Sequence, residues 1–309
     1  MARQATWQLH KTVQNASLPL NRELEDMSHT IETIADGFAF LEGPRWRDGM
    51  LWFSDMHDEK VYAMVPGSAP EIIATVPQCP SGLGWLPDGR MLIVSMLDKR
   101  LLVRADDGTL STWADLSDLA PRRINDMVVA ADGTAYVGNF GFLFHEGEPP
   151  TPTVLARIAP DGSAHQAADG LMFPNGSVIT KDGKTLVVGE SYAAKLTAFD
   201  IGPDGALSNK RDWANLSDGA VPDGICLDAE GAIWVASPTT GTFLRIKEGG
   251  EVLDTVVTGR QAIACTLGGA DGKTLFMLTS ETTSPDECKE KMSSRIETIR
   301  VSVGNGGSP

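Results

Sequence analysis

The chain of 309 residues carries a formal net charge of −15, with 42% hydrophobic and 22% charged residues. That acidity opposes phosphate backbones and anionic lipid headgroups, so neither nucleic acid nor a membrane surface is an expected partner. No run approaches the roughly 18 apolar residues that span a bilayer, and residues 1–28 lack the apolar stretch of a secretion signal, so a cytoplasmic location is expected.

In chain order, residues 1–28 read as an N-terminal extension outside the fold. The segment "HTIETIADG" at 29–37 reads as a strand without a partner of its own. Six copies of one unit follow: "WRDGMLWFSD", "LPDGRMLIVS", "AADGTAYVGN", "TKDGKTLVVG", "DAEGAIWVAS" and "GADGKTLFML". Each is a turn ending in Gly followed by a β-rich run, the pattern of a tight antiparallel hairpin. The turn glycines Gly49, Gly89, Gly133, Gly183, Gly231 and Gly272 are spaced by 40, 44, 50, 48 and 41 residues. A second turn follows in most copies, giving about four strands, A to D, per repeat; repeated units of this length are the pattern of a β-propeller. The last copy has "TLFMLTS" and "RIETIRVSV" and is one strand short. Pairing the segment at 29–37 with the C-terminal strand closes the ring and hides two edges. The expected fold is all-β: a six-bladed β-propeller over 29–302, with 303–309 as a flexible tail. The four cysteines, Cys79, Cys226, Cys265 and Cys288, form no CxxC pair and read as reduced, structural thiols.

If the blades are equivalent, residues eight before each turn Gly, or seven in the tighter first blade, line the same level of the central channel. Those positions hold Glu42, Ser81, Asn125, Asn175, Asp223 and Ala264. Asx-type strand-entry turns account for any one of them. Glu, Asn, Asn and Asp at one register instead describe a ring of oxygen donors, in which two converging carboxylates repel unless a cation or proton lies between them. Such donors suit a hard divalent ion, calcium first, with magnesium, manganese or zinc as alternatives.

The B–C loops belong to the same face. The third, "GNFGFLFHEGEPPTPT", and the sixth, "SETTSPDECKEKMSSR", are the longest, and in a six-blade ring they stand opposite one another as the halves of a lid. Met96, Phe140, Phe142, Phe144 and Tyr192 are the expected pocket walls, with Trp85 deeper. His57 and His145 read as wall or surface residues, because neither lies on the A-strand ring.

The elements "LEGPRW", "RINDMV", "FPNGSV", "VPDGIC" and "CTLGGADGKTLF", in order and at blade spacing, resemble the senescence marker protein/gluconolactonase/regucalcin family over roughly residues 30–302. The resemblance implies one catalytic divalent cation in the channel, held by Glu42, Asn175 and Asp223. It also implies substrate contacts from Arg123 and Asn125, with Asn125 reaching the metal. Together with the ring, it leads us to expect a lactonase: a metal-dependent hydrolase opening a cyclic ester of a small molecule. Asp223 is the expected base or, alternatively, the nucleophile, and Phe140 and Tyr192 are expected to contact substrate. Sugar-lactone members place an acidic residue where this chain has its phenylalanines, so an alkyl- or aryl-substituted lactone is expected. The alternatives on the same scaffold are phosphotriester hydrolysis, a carbon–carbon reaction, or a non-catalytic binding propeller with a structural ion.

Overall fold

The computed structural model describes residues 29–307; the proposed N-terminal extension at 1–28 lies outside the described residues. The first strand, β1 (Glu32–Phe38), stands ahead of the blades. Blade 1 is β2 (Leu41–Arg47), β3 (Met50–Asp55), β4 (Lys60–Met64) and β5 (Glu71–Thr75). Blade 2 is β6 (Pro80–Trp85), β7 (Met91–Ser95), β8 (Arg100–Arg104) and β9 (Leu110–Asp115). Blade 3 is β10 (Ile124–Val129), β11 (Ala135–Asn139), β12 (Thr153–Ile158) and β13 (Ala164–Leu171). Blade 4 is β14 (Pro174–Ile179), β15 (Thr185–Glu190), β16 (Lys195–Ile201) and β17 (Leu207–Asn215). Blade 5 is β18 (Ile225–Leu227), β19 (Ile233–Ser237), β20 (Thr242–Ile246) and β21 (Val252–Val257). Blade 6 is β22 (Gln261–Gly268), β23 (Thr274–Ser280) and β24 (Ser294–Arg300), completed by β1.

The expected closure is therefore present. β1 pairs antiparallel with β24, Glu32 opposite Thr298 and Phe38 opposite Ser294, so the two ends of the chain share one blade. Between blades the core follows strand alternation. In β18, Ile225 and Leu227 pack with Val178 and Val187 of blade 4, whereas Cys226 between them packs with Cys265 and Met277 of blade 6. Inner strands are buried throughout, as in β14, and outer strands expose most of their length, as in β17, which is why polar residues gather in the D strands. All four cysteines are free, and the Cys226 and Cys265 sulfurs lie 3.6 Å apart.

The A strands approach so closely at the axis that some positions exclude any side chain. A Cβ on Gly82 would lie 2.5 Å from the Met127 amide nitrogen, and one on Gly176 would lie 2.5 Å from the Asp223 carbonyl oxygen. The glycines flanking the polar ring are thus demanded by the radius of the ring.

Residues 304–307 correct the expectation of a free tail. The Gly304 carbonyl accepts the Ala229 amide at 2.8 Å, the Asn305 and Gly306 amides donate to Gly272 and Leu227 at 3.0 Å each, and Asn305 Nδ2 donates to the Leu267 carbonyl at 3.0 Å. The segment satisfies backbone groups of the blade 5 and blade 6 turns that would otherwise face water.

Gly82→Ala is expected to lose about 1–3 kcal/mol of stability, the usual cost of overpacking a closed interior. Its urea midpoint, compared with that of the parent protein, measures this; an unchanged midpoint would show that blades 2 and 3 can part at no cost.

Candidate functional site

The polar ring sits where the A–B ladders break. Register shifts fall between Glu42 and Arg45, Pro80 and Leu83, Ile124 and Met127, Pro174 and Ser177, and Ala262 and Ala264. A bulge inserts an unpaired residue and re-aims its side chain, and the bulged stretches contain or adjoin Glu42, Ser81, Asn125, Asn175 and Ala264. In blade 5 the regular strand starts only at Ile225, and Asp223 is held by its own amide donating to Ala236 O at 2.9 Å. That is why an Asp precedes a buried strand: Asp223 stands in the break.

The ring residues meet. Asn125 Nδ2 donates to Asn175 Oδ1 at 2.8 Å, and Asn175 Nδ2 donates to Asp223 Oδ1 at 2.6 Å. Ser81 Oγ donates to Asn125 Oδ1 at a longer 3.4 Å. Ser191, which the sequence did not single out, anchors this relay by accepting from Asn175 Nδ2 at 3.2 Å and donating to the Pro222 carbonyl at 2.7 Å. Glu42 joins through electrostatics: burial pushes its carboxyl well up, and the Asp223 and Asp126 charges push it further, against the opposing pull of the Gly43 amide and Arg45. Asp223 is pushed up to about 7 by burial and by Asp126, with its Asn175 hydrogen bond opposing. Although Asp223 as a residue is only half-buried, its carboxyl is enclosed enough for burial to be the dominant cause.

Below the ring lies a pair that sequence reasoning missed. Arg45, in the bulge after Glu42, donates from Nη2 to Asp126 Oδ1 at 2.8 Å and to the Met127 carbonyl at 2.6 Å, and from Nε to the Leu83 carbonyl at 2.9 Å. Both side chains are buried, at 7% and 6% exposure, so this ion pair ties blades 1, 2 and 3 together beneath their ring residues. The only hint was Arg in "LEGPRW" beside Asp in "RINDMV", 81 residues away.

Two carboxylate oxygens, Glu42 Oε1 and Asp223 Oδ2, accept no hydrogen bond from the described residues, whose bonds use Oε2 and Oδ1. Among the described residues no cluster of three or more His, Cys, Asp or Glu could hold a metal; the ring provides two carboxylates and reaches further only through its amides. Hard oxygen donors with two open carboxylate oxygens, and with the one cation acting on Glu42, Arg45, already paired to Asp126, fit a divalent ion.

Above the ring, the third loop forms a short turn of helix at Phe144–Glu146 and the sixth forms α1 (Pro285–Lys291). Cys288 of α1 is fully buried and belongs with Phe140 and Phe142 to one apolar cluster, which also runs through the strands of blades 2 and 3. The wall residues correct the sequence reading in part. Phe142 is 1% exposed and packs edge-on against Tyr192 at 4.7 Å, and Phe140 stacks on Phe173, another residue the sequence reading passed over, at 4.4 Å. Aromatic rings bury more area against each other than against an open channel. Phe140 and Phe144 still line a small cleft together with Arg123 and His145. Trp85 is on the opposite face. β6 runs from its ring end at Pro80 to its turn end at Trp85, which lines a separate cavity of about 190 Å³ with Arg45, Trp46 and Arg47. Met96 is buried in the apolar cluster. His57 is lowered to about 4 by burial and by Lys289, His145 and Arg123, and His145 is lowered by burial and by Arg123.

The family model described as the SMP-30/Gluconolactonase/LRE-like region matches residues 40–281, and the chain belongs to that family. Its sequence is 28% identical over 261 residues to regucalcin from Xenopus laevis, covering 80% of this chain and 85% of that one. It is 29% identical over 177 residues to regucalcin from Danio rerio, covering 56% and 59% respectively. Among solved structures, a luciferin-regenerating enzyme superimposes with a TM-score of 0.76 at 18% identity, covering 90% of this chain and 97% of the other. A calcium-binding regucalcin from Agrobacterium tumefaciens gives 0.75 at 20%, covering 88% and 93%. A gluconolactonase from Xanthomonas campestris gives 0.70 at 24%, covering 89% and 90%. No helix among the described residues is long and apolar enough to cross a membrane.

Two outcomes follow from this geometry. Arg45→Met leaves Asp126 buried without its partner and is expected to cost about 3–5 kcal/mol in urea unfolding, as broken buried pairs do. In the metal-free protein, the raised Asp223 means that the folded state holds a proton the unfolded state releases above its ordinary 3.8. Its contribution to stability is full below that value and is lost as pH rises through about 7. Wild type should therefore lose stability relative to Asp223→Asn between about pH 4 and pH 7; a difference that is flat with pH would contradict the enclosed carboxyl.

Proposed function

We propose that the chain is a divalent-metal-dependent hydrolase that opens the ring of a small-molecule lactone. The observation that carries this reading is the pair of enclosed carboxylates, Glu42 and Asp223, each with one oxygen open to the channel beneath a packed cap. Glu42, Asn175 and Asp223, with Asn125 in reach, would hold the ion, with calcium first and zinc, manganese or magnesium as substitutes. When bound, it would polarise the ester carbonyl.

The residues themselves do the rest. Asp223 takes a proton from water as the water oxygen bonds to the carbonyl carbon. The ring C–O bond then breaks, and the proton passes to the departing alkoxide, leaving a hydroxy acid. A buried carboxylate is a stronger base than an exposed one, which suits this role. Asn175, fixed by Ser191, keeps Asp223 in one orientation. Arg123 and Asn125 bind the substrate's oxygens, Phe140 contributes the apolar side of the cleft, and Tyr192 backs the cap. A protein-binding propeller would offer an open aromatic face; here the aromatic rings pack on one another.

Hydrolysis of a panel of lactones, with and without chelation and readdition of each ion, tests the reading. Activity that survives full removal of metal would sink it, and so would activity confined to phosphotriesters. Asp223→Asn is expected to lower kcat by on the order of 10²-fold or more. Glu42→Gln is expected to weaken metal affinity first, with excess metal restoring part of the rate.

A further inference from the structure

Among the described arginines only Arg123 and Arg295 form no side-chain hydrogen bond or ion pair. Arg123 is half-buried at the entry to β10, two residues before Asn125, and its backbone is fixed by its carbonyl accepting the Phe140 amide at 2.9 Å. A guanidinium carries five donors in a rigid fork suited to a carboxylate, and it gains little by being enclosed without an acceptor. It lines a small cleft with Phe140, Phe144, His145 and Glu146.

Lys289 of α1 shares electrostatic partners with Arg123. Both Lys289 and Arg123 act electrostatically on His57 in blade 1 and on Cys79 at the entry to blade 2. Lys289, on α1, is exposed and forms no ion pair. Asp286 and Glu59 also act on this rim, on His57 and Cys79 respectively, and Glu146 lines the cleft. Glu146, Asp286 and Lys289 are exposed and screened by water and Glu59 is half-buried, whereas the Arg123 guanidinium is the cation set into the wall. In a chain of net charge −15, a guanidinium half-buried in a cleft wall with no side-chain acceptor is a departure from the overall field.

We infer that the site is specific for a lactone that carries a carboxylate: Arg123 grips the carboxylate in a fork, and Lys289, across the mouth, sets the preference for anionic over neutral rings. This rests on the lactonase reading and names its substrate class.

The test uses the full chain loaded with Ca²⁺ and a matched pair of five-membered lactones: γ-valerolactone, and the analogue with a carboxylate in place of the methyl group. The carboxylated ring is expected to have the higher kcat/KM by roughly tenfold or more, the scale of one hydrogen bond between charged partners. Arg123→Gln should abolish that ratio through KM, Arg123→Lys should restore part of it, and Lys289→Gln should reduce it about threefold, as loss of a rim charge does. A ratio near one in the parent protein, or a ratio that none of the three variants changes, overturns the inference while leaving lactone hydrolysis intact. Calorimetry with the two ring-opened products, 2-hydroxyglutarate and 4-hydroxypentanoate, keeps the outcome decidable if neither lactone turns over. In that case the lactonase reading fails, Arg123-dependent preference for the dicarboxylate upholds anion recognition, and equal binding overturns it.

Discussion

Two carboxylates that repel each other are held at the axis of this ring, and the surrounding structure is arranged around that constraint. Glu42 and Asp223 come from blades 1 and 5, and burial and mutual repulsion raise Glu42 well above its ordinary range. Isolated, such a pair is costly. The molecule offsets the cost locally, with the Asn125–Asn175–Asp223 relay on one side and the Gly43 amide on the other. It leaves one oxygen of each carboxylate open, which is the feature a cation-binding site requires.

Holding the ring in place falls to the layer beneath. The Arg45–Asp126 pair spans three A strands, and the bonds from Arg45 to the Leu83 and Met127 carbonyls make the guanidinium a cross-brace rather than a surface charge. Asp126 also contributes to raising both ring carboxyls, so the brace and the site share one electrostatic field. Because the bulges that aim the ring residues also interrupt the ladders, the axis loses backbone hydrogen bonds there. Inter-blade contacts such as Ser54 Oγ to the Ser81 carbonyl at 2.7 Å replace some of them.

The cap above is built differently. It depends on apolar packing among loops from separate blades, with Cys288 of α1 and Phe142 of the third loop in one cluster. Charge is confined to its edge, where Arg123 and Lys289 come from opposite sides. The site thus has an acidic floor, an apolar roof and a rim of mixed charge in which Arg123 is the half-buried cation.

The sequence by itself determined the blade count, the closure of the ring and the membership of the polar ring. Turn glycines and the residues a set distance before them repeat, and repetition converts distance along the chain into position around an axis. It also placed the oxygen-bearing residue types at one level, since bulges recur at that register in successive blades. Only the tertiary structure decided what those residues touch. The pairing of Arg45 with Asp126, the anchoring of Asn175 by Ser191, the collapse of Phe142 and Phe140 onto Tyr192 and Phe173, the far-side location of Trp85 and the docking of residues 304–307 all join positions distant in sequence. No local pattern encodes them. They follow from which side chains meet once six blades are drawn around a common axis and from the direction each bulge turns its residue.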